Sequence, residues 1–327
     1  MSGADDWRPT ARLESLAARA RVLAEIRGFF AEAGVLEVET PVLSSSAATD
    51  PALASLACTY TGPLAPQGAP LWLHTSPELP MKRLLAAGSG PIWQLCRVFR
   101  DGERGRHHNP EFSLLEWYRP GFTLDALMDE VAGLLRRVLG GGLPEERLTY
   151  ARAFGRAFGI DPHREPIDGL QAAALRAGIT AADRLDLPGR DAWLDLLMTH
   201  GVEPGLGMGG ITFVHDYPAG QAALARMRDG DPPVAERFEV YVRGVELANG
   251  FHELADATEQ RHRFAADNAR RRATGLPEMP VDERLLAALE AGLPDCCGVA
   301  LGVDRLVMLA TGAQRIDEVI AFPLERA

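Results

Sequence analysis

The order of its strand-like runs limits the fold of this chain more than any other feature of the sequence. Apolar runs at residues 92–99 and 112–118 are joined by a polar loop, and the run at 237–247 contains a tight turn near 242–244. Hairpins join antiparallel strands, whereas parallel strands need a longer crossover that is usually a helix. Combined with several amphipathic helices, these runs predict an α+β fold with an antiparallel sheet flanked by helices.

Helical spacing of apolar residues, with the usual start and stop residues, predicts the helices of the chain. They are expected over residues 13–34, 80–87, 123–139, 258–274, 282–291 and 303–309. Further short strands are expected at 35–40, 71–75, 211–216 and 299–302. Between about 144 and 210, short helices are broken by Pro and Gly, which we interpret as a helical insertion in a single domain covering residues 1–327.

Composition and charge limit the kinds of partner that the protein is expected to bind. The chain is 46% hydrophobic and 24% charged, as in ordinary globular proteins, and has no apolar run of about eighteen residues that would span a membrane. Its first twelve residues are polar and predict no secretory signal, and its four cysteines form no Cys-x-x-Cys pair, which favours reduced thiols in a cytoplasmic protein. A net charge of −11 disfavours a nucleic-acid partner bound through its phosphates.

A basic, glycine-bearing loop joins the strands at 92–99 and 112–118. Arginine suits phosphate because its planar guanidinium donates two hydrogen bonds and stays charged. A phenylalanine on the returning strand offers a face that could stack on a base. The candidate residues are Arg100, Asp101, Gly102, His108, Asn109 and Phe112. Taken alone, a nucleotide site and a solvated hairpin tip remain equally open.

A pair of carboxylates follows in the hairpin at 237–247. The tight turn would place Glu239 and Glu246 opposite each other on neighbouring strands, where they repel unless a cation lies between them. Mg²⁺ bridging ATP phosphates is the natural cation, since it takes one or two carboxylates plus phosphate oxygens. Asn249-Gly250 is typical of a β-bulge, which would turn Glu253 toward the same cavity. Ordinary alternation on a sheet with one solvated face remains the alternative.

A third candidate segment lies near the C-terminus. Gly302 ends a predicted strand and lets backbone come close to a ligand, and Arg305 follows in the first turn of the next helix. A cation is poorly placed at a helix N-terminus unless a bound triphosphate compensates for the helix dipole. A surface arginine after an ordinary turn explains this segment equally well when it is taken alone.

In this order, the segments resemble the three signature motifs of class II aminoacyl-tRNA synthetases. Residues 38–41 look like motif 1, which forms dimer interface in that family, while 99–112 look like motif 2 and 302–305 like motif 3. Further stretches are similar to the lysyl-type subgroup, namely 75–78, 108–112, 216–218 and 246–253. The resemblance runs from about residue 13 to the end of the sequence.

Within that subgroup, the chain most resembles the elongation factor P–(R)-β-lysine ligases, a family of stand-alone paralogues. Lysyl-tRNA synthetases carry an anticodon-binding domain of OB type before motif 1, whereas only about 25 residues precede the motif 1 region here. The resemblance implies an enzyme that uses ATP, with Mg²⁺, to form the adenylate of (R)-β-lysine. It also implies transfer to a lysine side chain of elongation factor P by a homodimer.

The roles of individual residues implied by the resemblance follow the motifs. Catalysis would depend on Arg100 and Arg305, which would hold the phosphates of ATP. ATP would contact Arg100, Asp101, Gly102, His108, Asn109, Phe112, Glu246, Leu247, Gly302 and Arg305. Mg²⁺ would be bound by Glu239 and Glu246. The amino acid would contact Ser76, Pro77, Glu78, Tyr118, Asn249, Glu253 and Ala300. Glu78 would receive the backbone-side amine, and Glu253 would receive the distal ammonium.

Three positions depart from the motifs of the tRNA-charging relatives. Ser76 and Ala300 stand where lysyl-tRNA synthetases usually have alanine and glycine, which would reshape the pocket for an amine on the β-carbon. Gly102 stands where motif 2 usually has a glutamate, and the neighbouring Glu103 is the candidate replacement.

Two other functions remain open at this point. A truncated lysyl-tRNA synthetase-like enzyme would charge tRNA or another small acceptor, and a catalytically inactive paralogue would serve as a regulatory binding subunit. Intact Arg100, Glu246 and Arg305 disfavour the inactive paralogue, and the net charge of −11 disfavours tRNA. Arg104 and Arg106, at the tip of the basic loop, are the basic residues left to contact an acceptor.

Overall fold

A computed structural model describes residues 7–179 and 182–327. Residues 1–6, part of the segment in which no secretory signal is predicted, and residues 180–181 of the predicted insertion lie outside the described residues. The chain divides into two compact units. The first unit contains Met1–Phe122, Arg137–Leu139 and Ala255–Ala327, and the second contains Thr123–Arg136 and Gly140–Leu254.

Among the described residues, the α-helices are α1 (Leu13–Glu32), α2 (Glu78–Ala86), α3 (Leu124–Leu139), α4 (Tyr150–Phe158), α5 (Ile167–Arg176), α6 (Arg190–Leu197), α7 (Ala257–Ala273), α8 (Glu283–Gly292) and α9 (Val303–Thr311). The strands are β1 (Leu36–Glu37), β2 (Leu43–Ser44), β3 (Ala57–Tyr60), β4 (Ala69–Leu73), β5 (Ile92–Phe99), β6 (Glu111–Pro120), β7 (Glu145–Thr149), β8 (Ile211–Pro218), β9 (Met227–Arg228), β10 (Val234–Val242), β11 (Val245–His252) and β12 (Cys296–Gly302). None of these helices combines the length and apolarity that a membrane crossing requires.

Capping residues explain where several helices begin and end. Thr123 accepts a hydrogen bond from the backbone N–H of Ala126 at the start of α3, and Asp256 and Asp282 each accept two backbone N–H groups at the starts of α7 and α8. These bonds satisfy N–H groups that have no partner inside the helix, and such caps typically contribute about 0.5–2 kcal/mol. The last helix, α9, ends at Gly312, whose φ of 72° suits a residue without a Cβ.

In the first unit, the strands follow the order β1-β5-β6-β12. The pair β1 and β5 is parallel, whereas β5 with β6 and β6 with β12 are antiparallel. The helix α1 packs on this sheet through Phe30, whose ring stacks on Trp93 at 5.0 Å and meets the edge of Trp117 at 5.3 Å. A smaller sheet of order β2-β4-β3 precedes β5 in the chain. The sheet therefore holds β5, β6 and β12 side by side, with the apolar core on the α1 face.

In the second unit, the strands follow the order β11-β10-β8-β7, with β9 paired to β10. Buried side chains from α4, α5 and α6 form one core with residues of β8 and β10. Within that core, the ring of Tyr150 stacks on Phe154 at 4.6 Å and lies 4.8 Å from the ring of Tyr217. The helices predicted as an insertion thus cover one face of this sheet.

The α+β fold with a sheet flanked by helices is confirmed. The strand predicted at 92–99 is β5 with the same bounds, and the turn predicted near 242–244 lies at Arg243-Gly244, where both φ angles are positive. The strand pairing is mixed rather than wholly antiparallel in each unit, because β1 in the first unit and β7 in the second each pair in parallel with a neighbour.

The hairpin predicted in the run at 237–247 is confirmed, and it is formed by β10 and β11. The region interpreted as a helical insertion begins with a strand, β7, which the sequence pattern missed because four of its five residues are polar. The interpretation of the whole chain as a single domain stays a prediction.

Candidate active site

The arginine that ends β5 lies against the returning strand. The guanidinium carbon of Arg100 lies 5.0 Å from the centre of the Phe112 ring, within the range of a cation–π contact. Its Nη1 lies 3.5 Å from Oε1 of Glu103, and its Nε lies 3.4 Å from the carbonyl oxygen of Thr75. Only about a quarter of the Arg100 side chain is exposed, at 25%. The guanidinium is therefore held in place by contacts that a phosphate could replace.

The missing motif 2 glutamate has a structural replacement. Gly102 has a φ of 77°, a left-handed conformation that L side chains rarely adopt, so a glutamate at this position would strain the turn. The next residue, Glu103, places its carboxylate beside Arg100 instead. Moving the acidic residue by one position thus keeps a carboxylate next to the arginine.

The second predicted arginine lies in the first turn of α9. Nη2 of Arg305 is 2.7 Å from Nε2 of His108, and its Nε is 3.4 Å from the carbonyl oxygen of His107. Burial, followed by the positive charge of Arg305, lowers the pKa of His107, which favours a neutral imidazole beside the arginine. Asn109 fastens the same loop, because its Nδ2 donates to the carbonyl of Glu111 at 2.7 Å.

Arg104 and Arg106 do not have the free guanidinium groups expected at the loop tip. Arg104 is 2.6 Å from Glu325 and 3.0 Å from Asp317, and both carboxylates raise its pKa. Arg106 donates to the carbonyl and the side-chain oxygen of Gln314, at 2.8 and 2.7 Å. Both residues fasten the loop to the C-terminal segment, and their contact with an acceptor stays a prediction.

A buried polar cluster lies where the amine-binding residues were predicted in the first unit. We call it the Glu116 cluster, and it consists of Ser76, Glu78, Lys82, Glu116 and Tyr118. Oγ of Ser76 donates to Oε2 of Glu116 at 2.7 Å, and the hydroxyl of Tyr118 donates to Oε1 of Glu116 at 2.6 Å. Lys82 donates to Oε1 of Glu78 at 2.7 Å, one helical turn along α2. The relative exposures are 2% for Glu116 and 1% for Lys82, so two charged groups are held almost without water contact.

Glu116 and Lys82 were not predicted from the sequence as site residues. A glutamate inside the apolar run of β6, between Leu115 and Trp117, was the available signal. Across the sheet, Glu116 is the direct partner of Gln94 on β5 and of Ala300 on β12. Because residues directly opposite each other point to the same face, Ala300 lies beside the Glu116 carboxylate on that face.

A cysteine thiol lies within electrostatic reach of Glu116. Burial, and next the negative charge of Glu116, raise the pKa of the nearby Cys96 thiol to about 12. That thiol is therefore protonated at neutral pH and is a poor nucleophile.

Pro77 precedes the start of α2, and Gly302 directly precedes α9, so both predicted contacts lie at helix starts.

In the second unit, the two predicted metal-binding carboxylates share a sheet face but are not opposite each other. The register pairs Glu239 with Asn249 and Glu246 with Tyr241, and it shifts between Val240 and Tyr241. This corrects the expectation of a directly opposed pair, because the turn at Arg243-Gly244 already sets Tyr241 opposite Glu246, and the bulge then adds one further residue to β11 before Glu239 is reached. Both carboxylates nevertheless line one cavity of about 170 Å³.

Glu239 is firmly oriented. One oxygen pairs with the guanidinium of Arg237 and the other accepts the hydroxyl of Tyr241. Arg237 also donates to Oδ1 of Asn249 at 3.1 Å and lies over the ring of Tyr217, with its guanidinium carbon 4.2 Å from the ring centre. Burial raises the pKa of Tyr217 well above its usual value, and the negative charge of Glu239 adds to this effect.

The carboxylate pair fits Mg²⁺ only if a ligand completes the coordination. Among the described residues, no group of three or more His, Cys, Asp or Glu side chains is placed to hold a metal ion. Mg²⁺ usually takes one or two carboxylates together with substrate phosphates and water. Glu239 and Glu246 meet that requirement, since they line one cavity and a carboxylate oxygen can accept more than one contact. Arg237 and Tyr241 would then serve as partners that orient the ligating Glu239.

The remaining predicted residues of the second unit lie on β11 or directly after it. Leu247 is buried on β11, with 2% exposure. Glu253 has 4% exposure and forms an isolated β-bridge with Ala225. The bulge predicted at Asn249-Gly250 is not found there, because these residues pair regularly with Glu239 and Phe238, and the register shift leaves Leu247 as the extra residue instead. The roles of these residues toward ATP and amino acid stay predictions.

Comparison with known proteins identifies the protein family to which the chain belongs. The family model described as tRNA synthetases class II (D, K and N) matches residues 5–326. The chain therefore belongs to the class II tRNA synthetases.

Comparison with individual proteins points to one group of relatives within this family. The chain is 54% identical to the elongation factor P–(R)-β-lysine ligase of Klebsiella pneumoniae (strain 342). It is 53% identical to the proteins of the same name from Salmonella enteritidis PT4 (strain P125109) and Salmonella heidelberg (strain SL476). Each alignment covers 100% of this chain and 100% of the relative.

Proposed function

We propose that this protein uses ATP to activate (R)-β-lysine as its adenylate and then transfers the β-lysyl group to a lysine side chain of elongation factor P. The observation that carries this proposal is the identity of 53–54%, over 100% of both chains, to ligases named for that product. Membership of the class II tRNA synthetases supports the adenylate-forming step.

In the first step, the carboxylate of the amino acid attacks the α-phosphorus of ATP in line, and pyrophosphate leaves. Arg100 and Arg305 hold phosphate oxygens and stabilise the charge that develops there, so no covalent enzyme intermediate is needed. Their contacts with Glu103, at 3.5 Å, and His108, at 2.7 Å, support this role, because such partners keep an arginine in place until a phosphate arrives. Phe112 offers its ring to the adenine base.

Mg²⁺, when bound, would supply positive charge to the phosphates, and Glu239 and Glu246 are the residues that would hold it. The cavity that both carboxylates line supports this assignment. Asp101, Gly102, Asn109, Leu247 and Gly302 complete the set proposed to contact ATP.

The amine groups of the substrate bind to carboxylates. Glu78 receives the amine nearer the carboxylate, Glu253 receives the distal ammonium, and Tyr118, Asn249, Ser76, Pro77 and Ala300 shape the pocket. The low exposure of Glu253, 4%, supports this role, because a buried carboxylate attracts an ammonium more strongly than a solvated one.

In the second step, the uncharged amine of the acceptor lysine attacks the carbonyl carbon of the mixed anhydride. The new C–N bond forms, the bond between that carbon and the phosphate oxygen breaks, AMP leaves and the amine loses a proton to solvent. The enzyme contributes orientation, which is the main effect available when both reactants are held together.

The whole chain acts as one catalytic domain, with residues 144–210 as its helical insertion, in a cytoplasmic homodimer. Dimerisation is proposed through α1 and the segment at 35–40, because Leu13 and Leu36 expose 73% and 56% of their surface. Light scattering coupled to size exclusion at micromolar concentration should give twice the chain mass of 35.4 kDa. A monomer under these conditions would remove the dimer from the proposal.

One experiment separates the acceptors. The enzyme is incubated with ATP and (R)-β-lysine and with either elongation factor P or total tRNA. Mass spectrometry should detect one added β-lysyl group on a lysine of the factor, and acid precipitation should detect no charged tRNA. Charging of tRNA with an unmodified factor would favour the tRNA-charging enzyme instead. Failure of pyrophosphate exchange with every lysine-like amine would favour an inactive paralogue.

A further inference from the structure

We infer that Glu116 is the residue through which Ser76 and Ala300 influence the choice of amine, so that Ser76 is a positioning residue and not a direct substrate contact. This inference rests on the proposed function and deepens it, since it identifies the group that sets substrate preference. The residues involved are the Glu116 cluster and its cross-strand neighbour on β12, Ala300.

The hydroxyl of Ser76 is already used by the protein. Its single proton is donated to Oε2 of Glu116 at 2.7 Å, and its oxygen accepts the backbone N–H of Glu78 at 3.0 Å. A serine hydroxyl has one donor and two acceptor lone pairs, so its only donor already has an acceptor inside the cluster. A substrate ammonium, which only donates, therefore gains less from Ser76 than from the carboxylate that Ser76 orients.

Glu116 is held from both sides. Tyr118 donates to Oε1 at 2.6 Å while Ser76 donates to Oε2, and the residue has 2% exposure. Two short hydrogen bonds to the ionised form fix the plane of the carboxylate and favour its charge. A replacement of Ser76 by alanine, the residue usual in lysyl-tRNA synthetases, removes one of these two donors.

The second departure from those relatives meets the same carboxylate from the neighbouring strand. Ala300 is the direct cross-strand partner of Glu116, and in such pairs the Cβ atoms lie about 4.5–5.5 Å apart. A glycine at 300 would open space beside the Glu116 side chain. Both departures therefore act on the conformational freedom of one carboxylate.

The charges of the cluster attract an amine. Glu78 is paired with the buried Lys82 at 2.7 Å, so the five residues of the cluster carry two carboxylates and one ammonium, a net charge of −1. A buried carboxylate attracts a cationic group strongly because little water screens it. The orientation of Glu116 thus decides where along the substrate an ammonium binds best.

A double-mutant cycle tests the inference. Ser76→Ala, Glu116→Gln and the double variant are compared with the wild type by pyrophosphate exchange, and the measured quantity is the ratio of kcat/KM for (R)-β-lysine to that for α-lysine. Ser76→Ala should lower this ratio about tenfold, the usual worth of a hydrogen bond to a charged group. In the Glu116→Gln background the same replacement should change the ratio less than about twofold, because the residues act as one unit.

Independent, multiplying effects of the two replacements would overturn the inference, since they would mean that Ser76 contacts the substrate itself. The KM for ATP is the control and should stay within about twofold in every variant. If Glu116→Gln does not fold, the cycle is repeated with Glu116→Asp, whose shorter side chain draws the carboxylate away from Ser76, and Ser76→Ala should again change the ratio less than about twofold in that background. Again, effects that multiply would reject the inference.

The outcome also distinguishes this inference from the proposed function. If the wild type activates neither amine, the proposed function fails and the inference falls with it. If the wild type activates (R)-β-lysine but the effects multiply, only the role of Glu116 is lost.

Discussion

The Arg100 site and the Glu116 cluster lie in the same unit but are built in opposite ways. Arg100 is partly exposed, at 25%, and its partner Glu103 lies 3.5 Å away. Glu116 and Lys82 are almost fully buried and make hydrogen bonds of 2.6–2.7 Å to their neighbours. One region holds its charges through contacts that exchange easily, while the other holds them in fixed directions.

This contrast between exchangeable and fixed contacts indicates which part of the substrate is recognised by charge alone. A triphosphate carries several negative charges, so a partly exposed arginine with a weak ion pair, such as Arg100, can bind it at little cost to its present contacts. Two amines that differ only in the position of one amino group have the same charge and must be distinguished by geometry. Fixed, buried carboxylates suit that task because less ordering is needed on binding.

The strongest test of this division is Glu253→Gln, which keeps the shape of the side chain and removes its charge. We expect lysine-like amines to lose about 2–5 kcal/mol of binding, as when one partner of a buried charge pair is removed, while ATP is little affected. Separate titrations of amine and ATP by calorimetry measure the two losses.

A matched control for that test is Glu236→Gln. Glu236 pairs with His252 at 2.7 Å and belongs to none of the proposed binding sets, so both affinities should stay near those of the wild type. Equal losses for ATP and amine in Glu253→Gln would assign Glu253 to the metal or to the scaffold, and the comparison would no longer hold.

The arginine sites are tested by Arg100→Ala and Arg305→Ala. Each variant should lose roughly 10²–10³ in the rate of pyrophosphate exchange, the usual effect of removing one donor to developing charge. Both should remain folded, because the lost contacts are partly exposed. Rapid-quench exchange assays and thermal melts give the two quantities.

Arg97→Ala is the matched control, since Arg97 is an exposed arginine of β5, the strand directly before Arg100, and lies 3.6 Å from Glu111. Its exchange rate should stay near that of the wild type. Near-normal exchange in both Arg100→Ala and Arg305→Ala would remove the assignment of motifs 2 and 3.

A smaller effect is expected for Ala300→Gly, which addresses geometry alone. Loss of the methyl group beside Glu116 should shift the preference toward α-lysine by about 1–3 kcal/mol, the usual worth of one methylene-sized difference. Competition between the two amines at fixed ATP measures the shift. Ala235→Gly, at a buried position of β10, removes the same methyl group elsewhere and should leave the preference unchanged. An unaltered ratio in Ala300→Gly would remove Ala300 from the account of specificity.

The sequence was sufficient for the features that depend on neighbouring residues. Arg100 and Arg305 follow strands that periodicity detects, and the turn at Arg243-Gly244 follows from its glycine. The register of Glu239 and Glu246 was predicted wrongly, because the turn lies at Arg243-Gly244, one residue later than a direct pair requires, and a displacement of one residue leaves little trace in the pattern.

Features that depend on distant segments were missed. Glu116 resembles a solvated residue of a strand until β5 and β12 are known to lie on both sides of β6. Arg104 resembles a free cation until Glu325, 221 residues away, is placed beside it. Burial and long-range pairing are properties of the folded chain, and composition does not encode them locally.

The smallest expected effect belongs to Arg104→Ala, which separates arginines that face a ligand from one that fastens the loop. Arg104 bonds to Glu325 at 2.6 Å and to Asp317 at 3.0 Å, and it lies in the same loop as Arg100. If only its anchoring role matters, the rate of adenylate formation should fall by no more than about fivefold, the upper range for an exposed ion pair. Transfer to elongation factor P should fall by the same factor and no further. Asp317→Asn, which removes the charge of one partner, should give an equal or smaller change in both rates. A loss confined to the transfer step in Arg104→Ala, with adenylate formation intact, would mean that Arg104 leaves its carboxylates to contact the acceptor, and the basic loop would then belong with the recognition surfaces of this enzyme.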